Sequence, residues 1–424
     1  MAMKKIFFLS LMALVIGAQA QFKDNFKNKT LRIDYTHSGS AEAEYFTFDT
    51  LFVEKYWGGS KTRLIDEFDY GNHKFEVFDA ETNELLYSRG YSSLFREYQS
   101  TAEGETSCKA FNETVVLPYP KHAINIAFYS RKKDLGWEKQ FILPIDPKSR
   151  DIQKNRQNKF KKSKIHYSGK HNTKLDIVII AEGYTAEEME KFEQDCERFK
   201  GYILEADPYR QNMDKINIWA VKAISEESGT DLPGEDIWKN TAVGTNFYTF
   251  GSERYLTTED MKSVRDVAAN APYDQIYILV NHEKYGGGGI YNYYSLGTSD
   301  NTSAAFLFQH EFGHAFAGLG DEYYSSEVAV EDFYPLEIEP WEPNITTRVD
   351  FSSKWKNMIS ASTPVPTPAT EEYENTIGLF EGGGYVAKGI FRPYVDCTMK
   401  SVKYDAFCPV CKRAIQRMIN FYSE

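Results

Sequence analysis

The sequence predicts a multidomain chain, with an N-terminal all-β, sandwich-like domain at 21–147, a basic linker at 148–166, and an α/β (α+β) domain at 167–424. Three observations predict it. Short β-branched and aromatic runs broken by Gly, Asn, Asp and Pro fill the first part. A continuous apolar strand leading into an amphipathic helix opens the second. A helix bearing His310-Glu311-Phe312-Gly313-His314 lies late in that second part. With 424 residues and 42% hydrophobic content, the chain is long and apolar enough for two or three domains with real cores.

Residues 1–20 carry Lys4 and Lys5, an apolar run from Ile6 to Ile16, and the small residues Gly17 and Ala18 before Ala20. This is the pattern of a signal peptide. The run is too short to span a membrane, and no cysteine follows the cut to carry a lipid. The expectation is an exported protein, periplasmic or secreted to the cell surface, soluble without a lipid anchor and monomeric. Removing Lys4 and Lys5 takes the formal charge from −12 to −14. Phosphate contacts need a basic face, so nucleic acid is excluded as a partner.

The first domain is read from Leu31–Tyr35, Ala43–Phe48, Leu51–Val53, Lys74–Phe78, Thr114–Leu117 and Ala123–Phe128. A series of such short strands predicts a β-sandwich. From Lys148 the composition turns basic and polar, with Lys159, Lys161, Lys162 and Lys164 close together, as in a solvated connection.

In the second domain Leu175–Ala181 reads as a buried strand, Ala186–Leu204 as a helix that Thr185 can cap, and Ile216–Val221 and Gln275–Asn281 as further strands. Glu227–Pro233 reads as a structural turn, with a place in the cleft as the alternative. Gly286 to Gly289 lack the Lys-Ser/Thr of a phosphate loop. They are expected to form a flexible rim of the cleft, where an extended peptide can add as a strand.

The helix around His310 has apolar residues Phe308, Phe312, Ala315, Phe316 and Leu319 at three- and four-residue intervals. Two histidines four apart share a face and can hold one metal ion, while Glu311 points at the neighbouring space. A plain buried amphipathic helix is the competing reading. A catalytic zinc takes three protein ligands and keeps one position open, so a third ligand is required. On a continued helix Asp321 would lie about 16 Å from His310 along the axis, too far to share an ion. Gly318 and Gly320 must turn the chain back, which brings Asp321 or Glu322 beneath the metal; Asp321 is favoured on spacing.

Downstream, Met399 lies well past the metal helix, and Pro409 suits the first turn of a final helix. A methionine in a tight turn beneath the zinc marks metzincin metalloproteases. Cys397, Cys408 and Cys411 cluster, and in an oxidising compartment Cys397 is expected to pair with Cys408 or Cys411. A structural zinc at Cys408 and Cys411 is the competing reading, with no fourth ligand evident. Cys108 and Cys196 are expected to be isolated buried thiols.

Taken together, Leu175–Thr185, Ser228–Pro233, His310-Glu311-Phe312-Gly313-His314 with Asp321-Glu322-Tyr323, and Cys397-Thr398-Met399 with Phe407–Cys411 resemble the IgA-peptidase family of secreted, metzincin-like zinc metallopeptidases. The resemblance covers roughly 167–424 and includes an N-terminal β-domain. An acid, Asp321, stands where the common metzincin pattern has its third histidine, and the glycine falls one place later, at Gly318. The resemblance implies one catalytic Zn²⁺ held by His310, His314 and Asp321, with Glu322 as the alternative third ligand. It implies endopeptidase action on protein or peptide substrates, a zinc-activated water, and Glu311 as general base and then acid. Tyr394 is the expected oxyanion donor, and Tyr323 and Arg392 are expected to orient the acid ligand. Other functions open to such a chain are a non-catalytic surface binding protein that uses the sandwich, and a zinc amidase with a non-protein substrate.

Overall fold

The computed structural model describes residues 21–154, 159–324, 333–403 and 406–423. The expected signal peptide lies outside them, as do residues 155–158 of the basic stretch. Among the described residues, no helix is long and apolar enough to cross a membrane.

The first domain has strands β1 (Phe26–Gly39), β2 (Glu44–Glu54), β3 (His73–Asp79), β4 (Leu85–Tyr91), β5 (Lys109–Pro120), β6 (Ile124–Arg131), β7 (Trp137–Ile145) and the short β8 (Ile152–Gln153). They form two four-stranded sheets, ordered β5-β1-β2-β8 and β4-β3-β6-β7. Successive side chains on a strand point to opposite faces. Leu31, Ile33 and Tyr35 of β1 therefore meet Phe75 and Val77 of β3 and Ile126 and Phe128 of β6 in one buried cluster. Strands β4 and β7 are not among the runs expected from sequence. The β6–β7 register shifts between Phe128 and Tyr129, which breaks the alternation by which β7 would be recognised.

Two short helices, α1 (Leu94–Gln99) and α2 (Ala102–Thr106), separate β4 from β5. Helix α1 bridges the two domains: Phe95 lies against His37 of β1, with ring centroids 3.9 Å apart, and Phe95 and Tyr98 lie against Phe111 of β5. Its Leu94, Phe95 and Tyr98 are buried with Val178, Ile180 and Leu256 in a core of the second domain. Polar bonds fasten the same junction: Arg32 Nη1 to Asp266 Oδ1 (2.6 Å), Tyr273 Oη to Glu54 Oε2 (3.0 Å) and Arg265 Nε to Thr114 Oγ1 (3.0 Å).

The second domain is built on β9 (Lys161–Tyr167), β10 (Leu175–Glu182), β11 (Ile216–Lys222), β12 (Gln275–Val280), β13 (Gly287–Ile290) and β14 (Tyr294–Thr298), in one sheet ordered β13-β14-β12-β10-β11-β9. The four inner strands are parallel, and the two edge strands β9 and β13 are antiparallel to their neighbours. Four helices accompany them: α3 (Met189–Leu204), α4 (Met261–Ala268), α5 (Ala304–Ala317) and α6 (Pro409–Ser423). Strand β10 is buried throughout, and apolar from Ile177 to Ala181, because both of its faces are covered. Leu175, Ile177 and Ile179 meet residues of α3, α5 and α6, and Val178 and Ile180 meet α4. A hairpin, β15 (Phe380–Gly383) and β16 (Val386–Arg392), lies between the sheet and α6 in the chain.

The basic stretch is a linker only in part. Lys161 to Tyr167 form the edge strand β9, paired with β11. Lysines blunt an exposed edge against further pairing, which is why the stretch looks like a solvated connection in the sequence.

Between strands, the Asp176 carboxylate is fully buried and accepts from Asn217 Nδ2 (3.0 Å) and Trp219 Nε1 (2.8 Å). Asp274 Oδ2 accepts the Asp176 N–H (2.8 Å). Burial pushes Asp176 up to about 6, and burial followed by the Asp176 charge pushes Asp274 well above the carboxylate range. A carboxyl raised in the folded state contributes its stability fully below its unfolded pKa and loses it as pH rises through the folded one. Asp274→Asn is therefore expected to stabilise the protein by roughly 1–3 kcal/mol near neutral pH and to change little near pH 4. Denaturant titration at the two pH values measures it.

Candidate metal centre

Helix α5 buries Ala304, Leu307, Phe308, Phe312, Ala315 and Phe316, and is apolar nearly all round, as an interior helix must be. It packs on β13 and β14 on one side and on α3 and α6 on the other. It stops at Ala317 because Gly318 takes the left-handed conformation (φ 62°), with its N–H returning to His314 O (3.1 Å). Gly320 does not share that role, since its φ is not positive. A Cβ there would stand 2.8 Å from Ile345 Cδ1, so glycine at 320 provides room rather than a turn.

The returning chain carries Asp321 to the histidines. Its Oδ1 lies 3.2 Å from His310 Nε2 and 3.3 Å from His314 Nε2, and the two Nε2 atoms are 3.2 Å apart. His310 Nδ1 bonds Thr398 O at 3.0 Å and His314 Nδ1 bonds Leu319 O at 2.5 Å. A carbonyl only accepts, so both Nδ1 atoms carry protons, and the two Nε2 atoms are the ones turned toward Asp321. Asp321 Oδ1 is buried without a hydrogen bond of its own. An ideal zinc tetrahedron with His and carboxylate ligands has edges of about 3.3 Å, so the three donors fit such an ion.

The charges agree with this fit. Burial lowers the pKa of His314, but the Asp321 charge outweighs it and raises His314 to about 9. Burial raises Asp321, yet the histidines hold it far below the usual carboxylate range. The site attracts positive charge. Burial, first among its causes, raises Glu311.

Glu322 turns the other way. Its Oε1 accepts from Asn344 Nδ2 (2.9 Å) and from the Cys411 thiol (3.3 Å), so it does not reach the histidines. The backbone between the two acids is held from below, where Glu322 N–H donates to Met399 O (2.8 Å). Met399 is fully buried in a turn closed by Lys400 N–H to Cys397 O (2.8 Å). A Cβ on Gly313 would come 2.9 Å from its sulfur, which places Met399 directly against α5.

Asp321 Oδ2 accepts from Tyr385 Oη (2.7 Å). Tyr385 and Gly384 form the two-residue turn of the β15–β16 hairpin, both at positive φ (73° and 54°). A tyrosine in that region is strained, and such strain concentrates where a side chain must be aimed. Tyr385→Phe is expected to weaken metal binding by about 10- to 100-fold with the fold retained. Competition against a chromogenic chelator reads that change.

These groups open into a cleft of about 480 Å³. His310, Glu311, His314, Tyr285 and Arg254 line it from the second domain, and Asn72, Ser92, Glu97 and Thr101 from the first. Glu97 accepts a hydrogen bond from Tyr255 Oη, and burial pushes it up to about 7.

Several expectations need correction. Tyr394 is not among the cleft residues; it packs against the hydrophobic core beneath the sheet, because closeness to Met399 in sequence does not carry across the turn. Arg392 does not orient Asp321; it donates to the carbonyls of Glu381, Gly382 and Val395 and so braces the hairpin that presents Tyr385. The glycines from Gly287 to Gly289 do rim the cleft, but as the regular edge strand β13 rather than as a flexible segment. A Cβ on Gly289 would stand 2.2 Å from Glu311 O, so glycine there permits close approach to α5. The reading of Glu227–Pro233 as a structural turn needs no correction: the segment lies outside the cleft, with Gly229 N–H bonded to Gly183 O (3.0 Å). The expected disulfide is not formed: all the cysteines are free, and the Cys397 and Cys411 sulfurs are 3.9 Å apart. Cys108 is exposed rather than buried, while Cys196 is buried.

Sequence reasoning missed Tyr285, Tyr385, Arg254 and Glu97. Only the two tyrosines had a signal, each standing beside a run of glycines. A family model described as IgA Peptidase M64 matches residues 164–376 and 369–419, and one described as Peptidase M64 N-terminus matches 21–142. No curated protein matches the chain.

Proposed function

Because the chain belongs to the M64 family of IgA peptidases and is a peptidase, we propose that it is an exported, zinc-dependent endopeptidase whose reacting groups are gathered at α5. The convergence of His310 Nε2, His314 Nε2 and Asp321 Oδ1 carries the reading. These three side chains would hold the ion, which when bound would supply Lewis-acid activation of a water and of the scissile carbonyl.

Glu311 takes the proton from the attacking water and delivers it to the leaving amine. Its burial supports this role, since a raised carboxyl pKa brings base and acid forms closer in energy at working pH. Tyr385 holds Asp321 in place, and Nδ1–H bonds to Thr398 and Leu319 hold the two imidazoles. Tyr285 lines the cleft and is the donor we assign to the developing oxyanion. Burial, followed by the Glu311 charge, pushes its phenol up to about 12, so it keeps its proton at neutral pH. The pattern of residues 1–20 supports export.

The test is hydrolysis of casein and of a long peptide blocked at both ends. Internal cleavage is expected, lost when metal is stripped and restored by zinc. Cleavage that persists in protein shown by elemental analysis to be metal-free would overturn the reading.

A further inference from the structure

A second group of metal-ligating side chains lies on the opposite side of the Asp321–Glu322 peptide. Glu322, Cys397, Cys408 and Cys411 each offer one donor atom, and these four atoms all lie within 4.8 Å of one another. All four residues are buried, with exposures of 2% or less. We propose that they form a structural zinc site, distinct from the centre at His310.

The distances fit a tetrahedron. With Zn–S bonds of about 2.3 Å, its edges are about 3.8 Å. Cys397 Sγ to Cys411 Sγ is 3.9 Å, and Cys411 Sγ to Glu322 Oε1 is 3.3 Å. A disulfide needs about 2.05 Å between sulfurs. Cys408 and Cys411 have the two-residue spacing of a zinc-binding pair and stand at the start of α6, where helix N–H groups favour thiolate.

The second observation is an orphan. Glu322 Oε2 is buried without a hydrogen-bond partner, while Oε1 accepts from Asn344. Arg392 lies close by but gives its donors to backbone carbonyls, so no guanidinium hydrogen bond neutralises the carboxylate. A buried carboxylate is costly unless it is paired or coordinates a cation. Supporting bonds already surround the donors: Cys408 N–H points at Cys397 Sγ (3.3 Å), and Asn344 fixes Glu322 while also bonding Gly320. Such an ion ties the chain after α5 to a distant part of the sequence, the Met399 turn and the first turn of α6.

The experiment is elemental analysis of the full chain purified without chelator, alongside His310→Ala/His314→Ala and Cys408→Ser. Two zinc equivalents per chain are expected in the wild type and one in the double histidine variant. That variant, loaded with Co²⁺, should show thiolate-to-cobalt charge transfer in the near ultraviolet. Should Cys408→Ser fail to fold, thiol titration of the wild type still decides: three thiols should become reactive only as zinc is released. A metal-free double histidine variant, or a cross-link among Cys397, Cys408 and Cys411 found by peptide mapping, would overturn the proposal.

Discussion

Glu311→Gln is expected to lower peptide hydrolysis by a factor of about 10² to 10⁴ or more, with metal content and thermal stability unchanged. The substitution keeps the shape of a side chain that has little room. A Cβ on Gly287 would stand 2.9 Å from Glu311 Cγ and 3.0 Å from its Oε1, so a longer replacement would disturb β13 as well. Glutamine cannot take a proton from water, so the loss should appear in kcat. Burial raises Glu311, and the acid limb of kcat/KM should therefore lie above the ordinary glutamate value of 4.5, with activity rising with pH through that point. Stopped assays across pH on both proteins, with zinc measured in each sample, check the expectation. Wild-type turnover in the variant would remove Glu311 from the mechanism.

Asp321→Ala is expected to abolish metal binding at the histidine centre, and activity with it. Two imidazoles remain, one donor short of the three that a catalytic zinc takes. Equilibrium dialysis against buffered zinc is the measurement, with Glu322→Ala as its counterpart. The first variant should lose the ion between His310 and His314, and the second should keep it. Retention in Asp321→Ala would show that another group completes the set. Stripping the metal also exposes a pH dependence. Asp321, depressed in the folded protein, contributes stability above its ordinary 3.8 and loses it as pH falls. His314, raised to about 9, contributes fully below its ordinary 6.5 and loses it between there and 9. The melting temperature of metal-free protein should therefore decline from pH 6.5 to 9, and a bound ion should flatten that slope.

How much of this was legible in the chain depended on how local the cause was. His310 and His314 share a helical face by spacing alone, and β10 announces itself as a continuous apolar run. The choice between Asp321 and Glu322 is not local. It follows from the left-handed Gly318, and from Asn344, Met399 and the three cysteines, which draw Glu322 to the far side. Tyr385 reaches Asp321 only because a hairpin closes through two positive-φ residues, one of them a tyrosine, which no propensity favours. The disulfide expectation weighed the cysteines against one another and left out a carboxylate more than seventy positions upstream.

The seating of α1 bears on how separable the two domains are. Leu94, Phe95 and Tyr98 belong by chain order to the sandwich and by burial to the neighbouring core, and the residues flanking them form one wall of the cleft. Cutting the chain near residue 147 would leave the catalytic half with an open apolar socket and a cleft lacking a side. A recombined protein that exchanged its sandwich for another would inherit the same hole. The sandwich is thus no detachable recognition module, and selection on what the cleft accepts acts on both halves of the chain together.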